Sequence, residues 1–201
     1  MKKTRLEAFS DGVLAIIITI MVLELRVPHE PTLAALGALL PVLLSYALSF
    51  VNVGIYWNNH HHMLHATQRV TGGILWANLY LLFWLSLIPF TTAWMGENHF
   101  ASAPTAAYGV VLLMAAIAYW ILQLVIVRNE GHGSVMARAV SGDIKGKISP
   151  VLLVIAIPAA FVRPAIAEAL YVTVSLIWLI PDRRIERAIG APARAPGAED
   201  A

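Results

Sequence analysis

The sequence has no cysteine and few charged residues. Of its 201 residues, 13% are Asp, Glu, Lys or Arg, and none is Cys. The absence of cysteine excludes disulfide bonds and thiolate metal sites. The net charge of +2 gives no electrostatic reason to expect a nucleic-acid partner. Because soluble domains are about a quarter charged, this shortage of charge also argues against a soluble domain.

Long apolar runs take the place of the missing charge. Hydrophobic residues make up 59% of the chain, and the mean hydropathy is +0.71. A membrane-spanning helix needs about 20 mostly apolar residues, and several runs approach or exceed that length. The runs predict an all-α polytopic membrane protein whose single membrane domain covers residues 1–190, followed by a disordered cytoplasmic tail at 191–201. Its six helices are predicted at residues 5–25, 33–65, 74–95, 105–127, 148–162 and 165–180, with a kink at Pro89.

The distribution of basic residues supports six spans with both termini in the cytoplasm. With this topology, Arg26 and Arg163 face outward, and the other 12 of the 14 Lys and Arg residues lie inside. Cytoplasmic loops of membrane proteins carry such an excess of Lys and Arg. Five or seven spans would place the basic C-terminal segment on the opposite side.

The first helix combines ionisable residues with a regular apolar stripe. Ile16, Ile20 and Leu23 follow the i, i+4, i+7 spacing of one helix face, and Thr19 borders them. Asp11 lies roughly 140° around the helix from Ile16. If several copies surrounded an axis, the stripe would form stacked apolar rings that could control ion passage by dewetting. The same spacing is also typical of an ordinary packing face.

Two other sets of residues suggest different chemistry. Asp11 and Glu24 could relay protons or sodium in a coupled transporter, but they are 13 residues apart, which is about 20 Å along a helix. No cysteine or carboxylate lies near the histidines to complete a metal site, so the sequence predicts no metal, no cofactor and no enzyme activity. The histidines are His60, His61, His62 and His65, of which His61 and His65 have a spacing that can bind zinc.

One segment of the first helix resembles a known family. Residues 5–13, RLEAFSDGV, resemble the RxxxFSD signature of the TMEM175 family through Arg5, Phe9, Ser10 and Asp11. The similarity recurs in order along the chain. It includes residues 54–61, Asn78, Pro89 with Phe90, and residues 178–184.

The resemblance implies a potassium-permeable cation channel of the cell membrane, surrounded by lipid and built as a homotetramer. Monovalent cations, chiefly K⁺, would pass passively through a central pore lined by helix 1, without the TVGYG loop of ordinary potassium channels. By position, Ile16 would form the narrow constriction and Thr19 a polar layer beside it. Ile20 and Leu23 would continue the pore wall outward. The alternative remains a proton- or sodium-coupled secondary transporter.

The motif residues would have a structural role under the same resemblance. Arg5, Phe9, Ser10 and Asp11 would tie the first helix to the second and third. The expected partners are Trp57, Asn58 and one histidine, either His60 or His61, with His61 preferred.

Overall fold

The fold is that of a computed structural model, which describes residues 2–131, 134, 137 and 143–179. All regular structure in these residues is α-helical, so the predicted all-α fold is confirmed. The predicted tail at 191–201 and most of the 178–184 segment lie outside the described residues. The helices are α1 (Lys3–Leu23), α2 (Leu33–Ala38), α3 (Leu40–Ala66), α4 (Gly72–Ser86), α5 (Ile88–Glu97), α6 (Ser102–Glu130), α7 (Ile144–Val162) and α8 (Pro164–Leu179).

Prolines divide two of the six predicted helices. The structure divides the helix predicted at residues 33–65 into α2 and α3 at Leu39, because Pro41 in the first turn of α3 has no N–H to donate to the preceding turn. Pro89 has the same position in α5, and the chain kinks between α4 and α5 at Leu87. The predicted kink therefore lies within two residues of Pro89.

Five segments of the described chain are long and apolar enough to cross a membrane. They are α1, α3, the kinked pair α4–α5, α6 and α7. The sixth apolar helix, α8, has 16 described residues and is about 24 Å long. That length is below the roughly 30 Å of a bilayer's hydrocarbon core. Of the six predicted spans, the described residues thus contain five of membrane-spanning length and 16 residues of the sixth.

Hydrogen bonds bring several helix ends together at one end of the bundle. Lys3 Nζ donates to the His65 carbonyl at 2.6 Å, which joins the start of α1 to the end of α3. Glu130 Oε1 at the end of α6 accepts from the backbone N–H of Gln68 at 2.8 Å. We call this end, where α7 also begins, the basic end, because seven of the described Lys and Arg residues lie there: Lys2, Lys3, Arg5, Arg69, Arg128, Lys145 and Lys147.

Helix α6 is the centre of the packing. It contacts α4, α5, α7 and α8, whereas α1 packs mainly on α3, α4 and α5. Gly109 lets α8 approach α6 closely, since a Cβ atom there would lie 2.8 Å from Tyr171 Cζ. The Tyr171 hydroxyl then donates to the Thr105 carbonyl at 3.0 Å. The bundle thus carries α1 on one side and α7 and α8 on the other.

Candidate functional site

Helix α1 has a buried face and an exposed face. The buried residues recur every three or four positions and face the core, as expected for a packed helix; they are Leu6, Ser10, Leu14, Ile17 and Met21. On the other side, Ile16 is 58% exposed, Ile20 is 41% exposed and Leu23 is 81% exposed. We call Ile16, Thr19, Ile20 and Leu23 the outward stripe. A single copy of the chain therefore leaves the four predicted pore residues uncovered on one surface.

Thr19 gives the outward stripe one polar group. Its hydroxyl is exposed and donates to the Ile16 carbonyl at 2.9 Å. A hydroxyl has one proton and two acceptor lone pairs, so this bond uses the proton and leaves the oxygen free to accept. The Thr19 oxygen can therefore face a cation without losing its own hydrogen bond.

Ser10 joins α1 to α4 and α3 through a chain of buried hydrogen bonds. The Ser10 hydroxyl donates to the Leu6 carbonyl at 2.9 Å and accepts from Asn78 Nδ2 at 3.0 Å. Asn78 Oδ1 lies 2.6 Å from His60 Nε2. Because a carbonyl oxygen can only accept, His60 Nε2 is the protonated nitrogen and donates. All three side chains are almost fully buried, which makes this chain a rigid tie across three helices.

His60, rather than the preferred His61, forms the hydrogen bond to α4. His60 is 2% exposed, whereas His61 is exposed on the next helix position. Consecutive residues of a helix point about 100° apart, so only one of the two can face Asn78. The His61 ring instead lies 6.2 Å from the Trp57 ring and stacks on His65 at 6.2 Å, measured between centroids.

Asp11 finds its partner on α3. Trp57 Nε1 donates to Asp11 Oδ1 at 3.0 Å, and both side chains are exposed on the protomer surface. Asp11 lies about 12 Å along α1 from Lys3, deep enough that exposure of a carboxylate to lipid would be costly. This part of the surface therefore requires water or another protein surface against it.

The remaining predicted motif residues take part neither in the hydrogen bonds that join Ser10, Asn78 and His60 nor in the hydrogen bond between Trp57 and Asp11. Arg5 and Phe9 are exposed, Phe9 by 52%, and Asn58 is half-buried. Within the described residues, neither Arg5 nor Asn58 forms a side-chain hydrogen bond or ion pair. Arg5 and Phe9 lie on the same side of α1 as the outward stripe, and so extend its line toward the basic end.

A second set of hydrogen-bonded polar residues, which the sequence prediction did not include, lies at the centre of the helix bundle. The Tyr108 hydroxyl accepts from Ser49 Oγ at 3.0 Å and from Asn52 Nδ2 at 3.2 Å. Ser175 Oγ donates to Asn52 Oδ1 at 3.0 Å, and Ser49 Oγ lies 2.6 Å from Thr92 Oγ1. We call these five residues the central polar cluster. Its only sequence signal is the presence of polar residues within apolar helices, which indicates inward-facing positions.

The histidines of α3 are not brought together with a third metal-ligating side chain within the described residues. No group of three or more His, Cys, Asp or Glu side chains in those residues could hold a metal ion. At the opposite end, Arg26 pairs with Glu97 at 3.3 Å, and both side chains are well exposed. The geometry therefore offers an exposed apolar stripe with one hydroxyl, rather than a centre for bond-making chemistry.

Comparison with known proteins gives matches along nearly the whole chain. The sequence model of the family described as endosomal/lysosomal potassium channel TMEM175 matches residues 5–89. A protein named as a potassium channel in Chryseobacterium sp. is 56% identical over 189 residues, which cover 94% of this chain and 98% of that protein. Another protein named as a potassium channel, in Streptomyces collinus, is 35% identical over 136 residues, which cover 64% of this chain and 66% of that protein.

A solved structure also matches. It is the crystal structure of a lysosomal potassium-selective channel TMEM175 homolog from Chamaesiphon minutus. The TM-score is 0.78 at 25% sequence identity, and the match covers 88% of this chain and 96% of that one. The similarity therefore includes the arrangement of the helices as well as the sequence of the first three spans.

Proposed function

Because the chain belongs to the TMEM175 family, we propose that it is a potassium channel whose pore is formed by the outward stripe of several copies of α1. The relatives named above support potassium as the permeant ion. One observation carries the assignment of the pore: Ile16, Thr19, Ile20 and Leu23 lie together on the exposed face of a helix of membrane-spanning length.

The charges of α1 support assembly into an oligomer. Arg5 and Asp11 are exposed on the protomer, and Asp11 lies about 12 Å along the helix. A charged side chain facing lipid at depth costs about 2.5 to 3.5 kcal/mol even on insertion scales. Contact with a neighbouring copy of the chain would remove this cost for Asp11, which lies off the face that meets the axis, and an aqueous axis would remove it for Arg5. We propose a homotetramer, with α1 of each protomer at the axis.

Conduction in this assembly depends on the height of the apolar barrier at Ile16. A ring of Ile16 side chains offers no oxygen ligands, so it would hold back ions by dewetting and discriminate only weakly between K⁺ and Na⁺. The Thr19 oxygens would lie one turn away and would accept contacts from a partly dehydrated cation. Ile20 and Leu23 would extend the wall toward the outer mouth.

Replacing Ile16 tests the barrier directly. Ile16→Asn adds polar atoms to the proposed constriction, and a fall of about 1.4 kcal/mol in a barrier raises the rate tenfold. We expect the potassium current in planar bilayers to rise on the order of tenfold, with a changed K⁺/Na⁺ permeability ratio. Val22→Asn is the matched control, because Val22 is 45% exposed on α1 but lies off the stripe. Equal currents in both variants would contradict the pore assignment.

The reversal potential separates a channel from a coupled transporter. A passive potassium pathway has a reversal potential that follows the K⁺ gradient and is unchanged when a proton gradient is imposed. A reversal potential set by a fixed stoichiometry of K⁺ to protons or sodium, rather than by the permeability to each ion, would instead indicate coupled transport.

The distribution of basic residues supports a location in the cell membrane with the basic end in the cytoplasm. Seven described Lys and Arg residues lie at that end, and Arg26 and Arg163 lie at the other. Because the chain has no native cysteine, single cysteines report orientation cleanly. We expect Lys147→Cys to be protected from an impermeant thiol reagent applied outside cells and Arg163→Cys to react. The reverse pattern would invert the topology.

A further inference from the structure

A cavity of about 130 Å³ lies between α3, α6, α7 and α8 near the basic end. Its walls are largely apolar and include Ile55, Leu112, Leu153 and Val174. Trp120, which is 55% exposed, and the exposed Lys147 mark its opening. None of the lining residues belongs to α1, so the cavity is separate from the proposed pore surface.

Gln123 projects an unpaired amide into this cavity. The residue is 7% exposed and lines the cavity wall. In the described part of the chain, its side-chain amide has no hydrogen-bond partner. Asn52, another amide that lines the cavity, lies on α3 and bonds to both Tyr108 and Ser175. The Gln123 amide is therefore free to form a hydrogen bond with a polar atom of a ligand in the cavity.

The apolar walls favour an amphipathic ligand over water alone. Water alone would leave the apolar part of the wall, which includes Leu112 and Leu153, unsatisfied, because apolar cavity surfaces stay dry or take up hydrocarbon. Gln123 is seven residues before the end of α6 at Glu130, which places it about 10 Å below that end. This position suits a molecule whose polar part lies near the membrane surface and whose apolar part extends inward.

The charges at the opening match a zwitterionic headgroup. Asp143 and Lys147 both line the cavity at the start of α7. Asp143 Oδ1 accepts from the Gly146 N–H at 2.8 Å, which fixes the carboxylate beside the opening. One carboxylate and one ammonium within a helical turn complement a headgroup that has both an ammonium and a phosphate.

We propose that this cavity binds one phospholipid with a zwitterionic headgroup. The phosphate lies at Lys147 and the lipid ammonium at Asp143. Gln123 donates to an ester carbonyl, and the first methylenes of one acyl chain fill the space beside Leu112 and Leu153.

Lipid retention by the purified full-length protein tests the site. The protein is incubated with phosphatidylethanolamine or phosphatidylglycerol in mild detergent, and bound lipid is counted by native mass spectrometry. We expect retention of one phosphatidylethanolamine per protomer, more strongly than phosphatidylglycerol. Ala116→Phe, on the cavity wall, should weaken retention about tenfold, equivalent to 1.4 kcal/mol. Val110→Phe, at an exposed position of the same helix, should bind like the parent protein.

A second variant separates loss of lipid from loss of folding. Gln123→Leu removes the unpaired amide, so we expect an unchanged or higher melting temperature together with several-fold weaker retention of phosphatidylethanolamine. Retention equal to the parent in both Ala116→Phe and Gln123→Leu would overturn the proposal. So would a preference for phosphatidylglycerol, or a parent protein that retains no lipid. Because binding is measured without current, these results are independent of the proposed pore.

Discussion

The outward stripe of α1 and the central polar cluster place their side chains in opposite ways. In the stripe, three large apolar side chains face outward, and Leu23 is 81% exposed. In the cluster, Asn52 and Tyr108 are buried among neighbouring helices and are paired by hydrogen bonds of 3.0 to 3.2 Å. Polar groups therefore face inward where helices must hold together, and apolar groups face outward on α1.

We expect this difference to separate the residues that hold the fold from those proposed to line the pore. Between membrane helices there is little hydrophobic driving force, so small residues and buried hydrogen bonds supply much of the association. The stripe adds less to the packing of a single copy of the chain, because its side chains are largely exposed there. Substitutions in the cluster should thus change stability, and substitutions in the stripe should change conduction with little change in stability.

The largest expected loss of stability is at the contact between α6 and α8. In Gly109→Ala, the new Cβ would lie 2.8 Å from Tyr171 Cζ, so Tyr171 must move away and its bond to Thr105 is strained. We expect destabilisation of about 1 to 3 kcal/mol, as for other overpacked cores, seen as a lower melting temperature in size-exclusion assays.

Gly54→Ala is the control for this contact. A Cβ at Gly54 meets nothing within 4 Å, so the gain in helix propensity of about 0.5 to 1 kcal/mol should remain. If Gly109→Ala melts at or above the temperature of Gly54→Ala, the close approach of α8 to α6 is incorrect.

The next effect distinguishes the two adjacent histidines of α3. His60→Ala leaves Asn78 Oδ1 buried without its partner, and an orphaned buried group costs about 1 to 3 kcal/mol. His61 is exposed, so His61→Ala should change the free energy of unfolding by less than about 0.5 kcal/mol. Thermal unfolding of both variants measures the difference. A larger loss of stability in His61→Ala than in His60→Ala would contradict the chain of hydrogen bonds that joins Ser10, Asn78 and His60.

The sequence predicted the features that depend on helical periodicity. The spacing of Ile16, Ile20 and Leu23 is a property of one helix, and the structure leaves these residues together on one exposed face. The choice between His60 and His61 depends on how α3 rotates against α4. Both residues are histidines beside one another, so local sequence contains no signal for that rotation.

Features built from several helices could not be predicted from the sequence for a similar reason. The cavity at Gln123 requires α3, α6, α7 and α8 to meet, and none of their contacts follows from spacing along one helix. The break at Leu39 did have a local signal in Pro41, because proline disfavours a continuous helix. The apolar run continues on both sides of Pro41, so run length alone predicts one continuous helix there.

The smallest expected effect on stability is at Thr19, where the comparison between residues of the fold and residues of the outward stripe is tested most directly. Thr19→Val keeps the shape of the side chain but removes the only hydroxyl of the outward stripe, and its bond to the Ile16 carbonyl lies on an exposed surface. Stability should therefore change by less than about 0.5 kcal/mol. If the Thr19 oxygens contact the passing ion, losing a contact worth about 0.5 to 1.5 kcal/mol should lower the K⁺/Na⁺ permeability ratio by roughly two- to tenfold. Bi-ionic reversal potentials measure that ratio. Thr173→Val serves as the control. Thr173 is an exposed threonine on α8, and its hydroxyl also donates to a helix carbonyl, that of Ala169. An equal ratio in Thr19→Val and Thr173→Val would remove Thr19 from the ion path and leave selectivity to backbone carbonyls or to the apolar rings themselves.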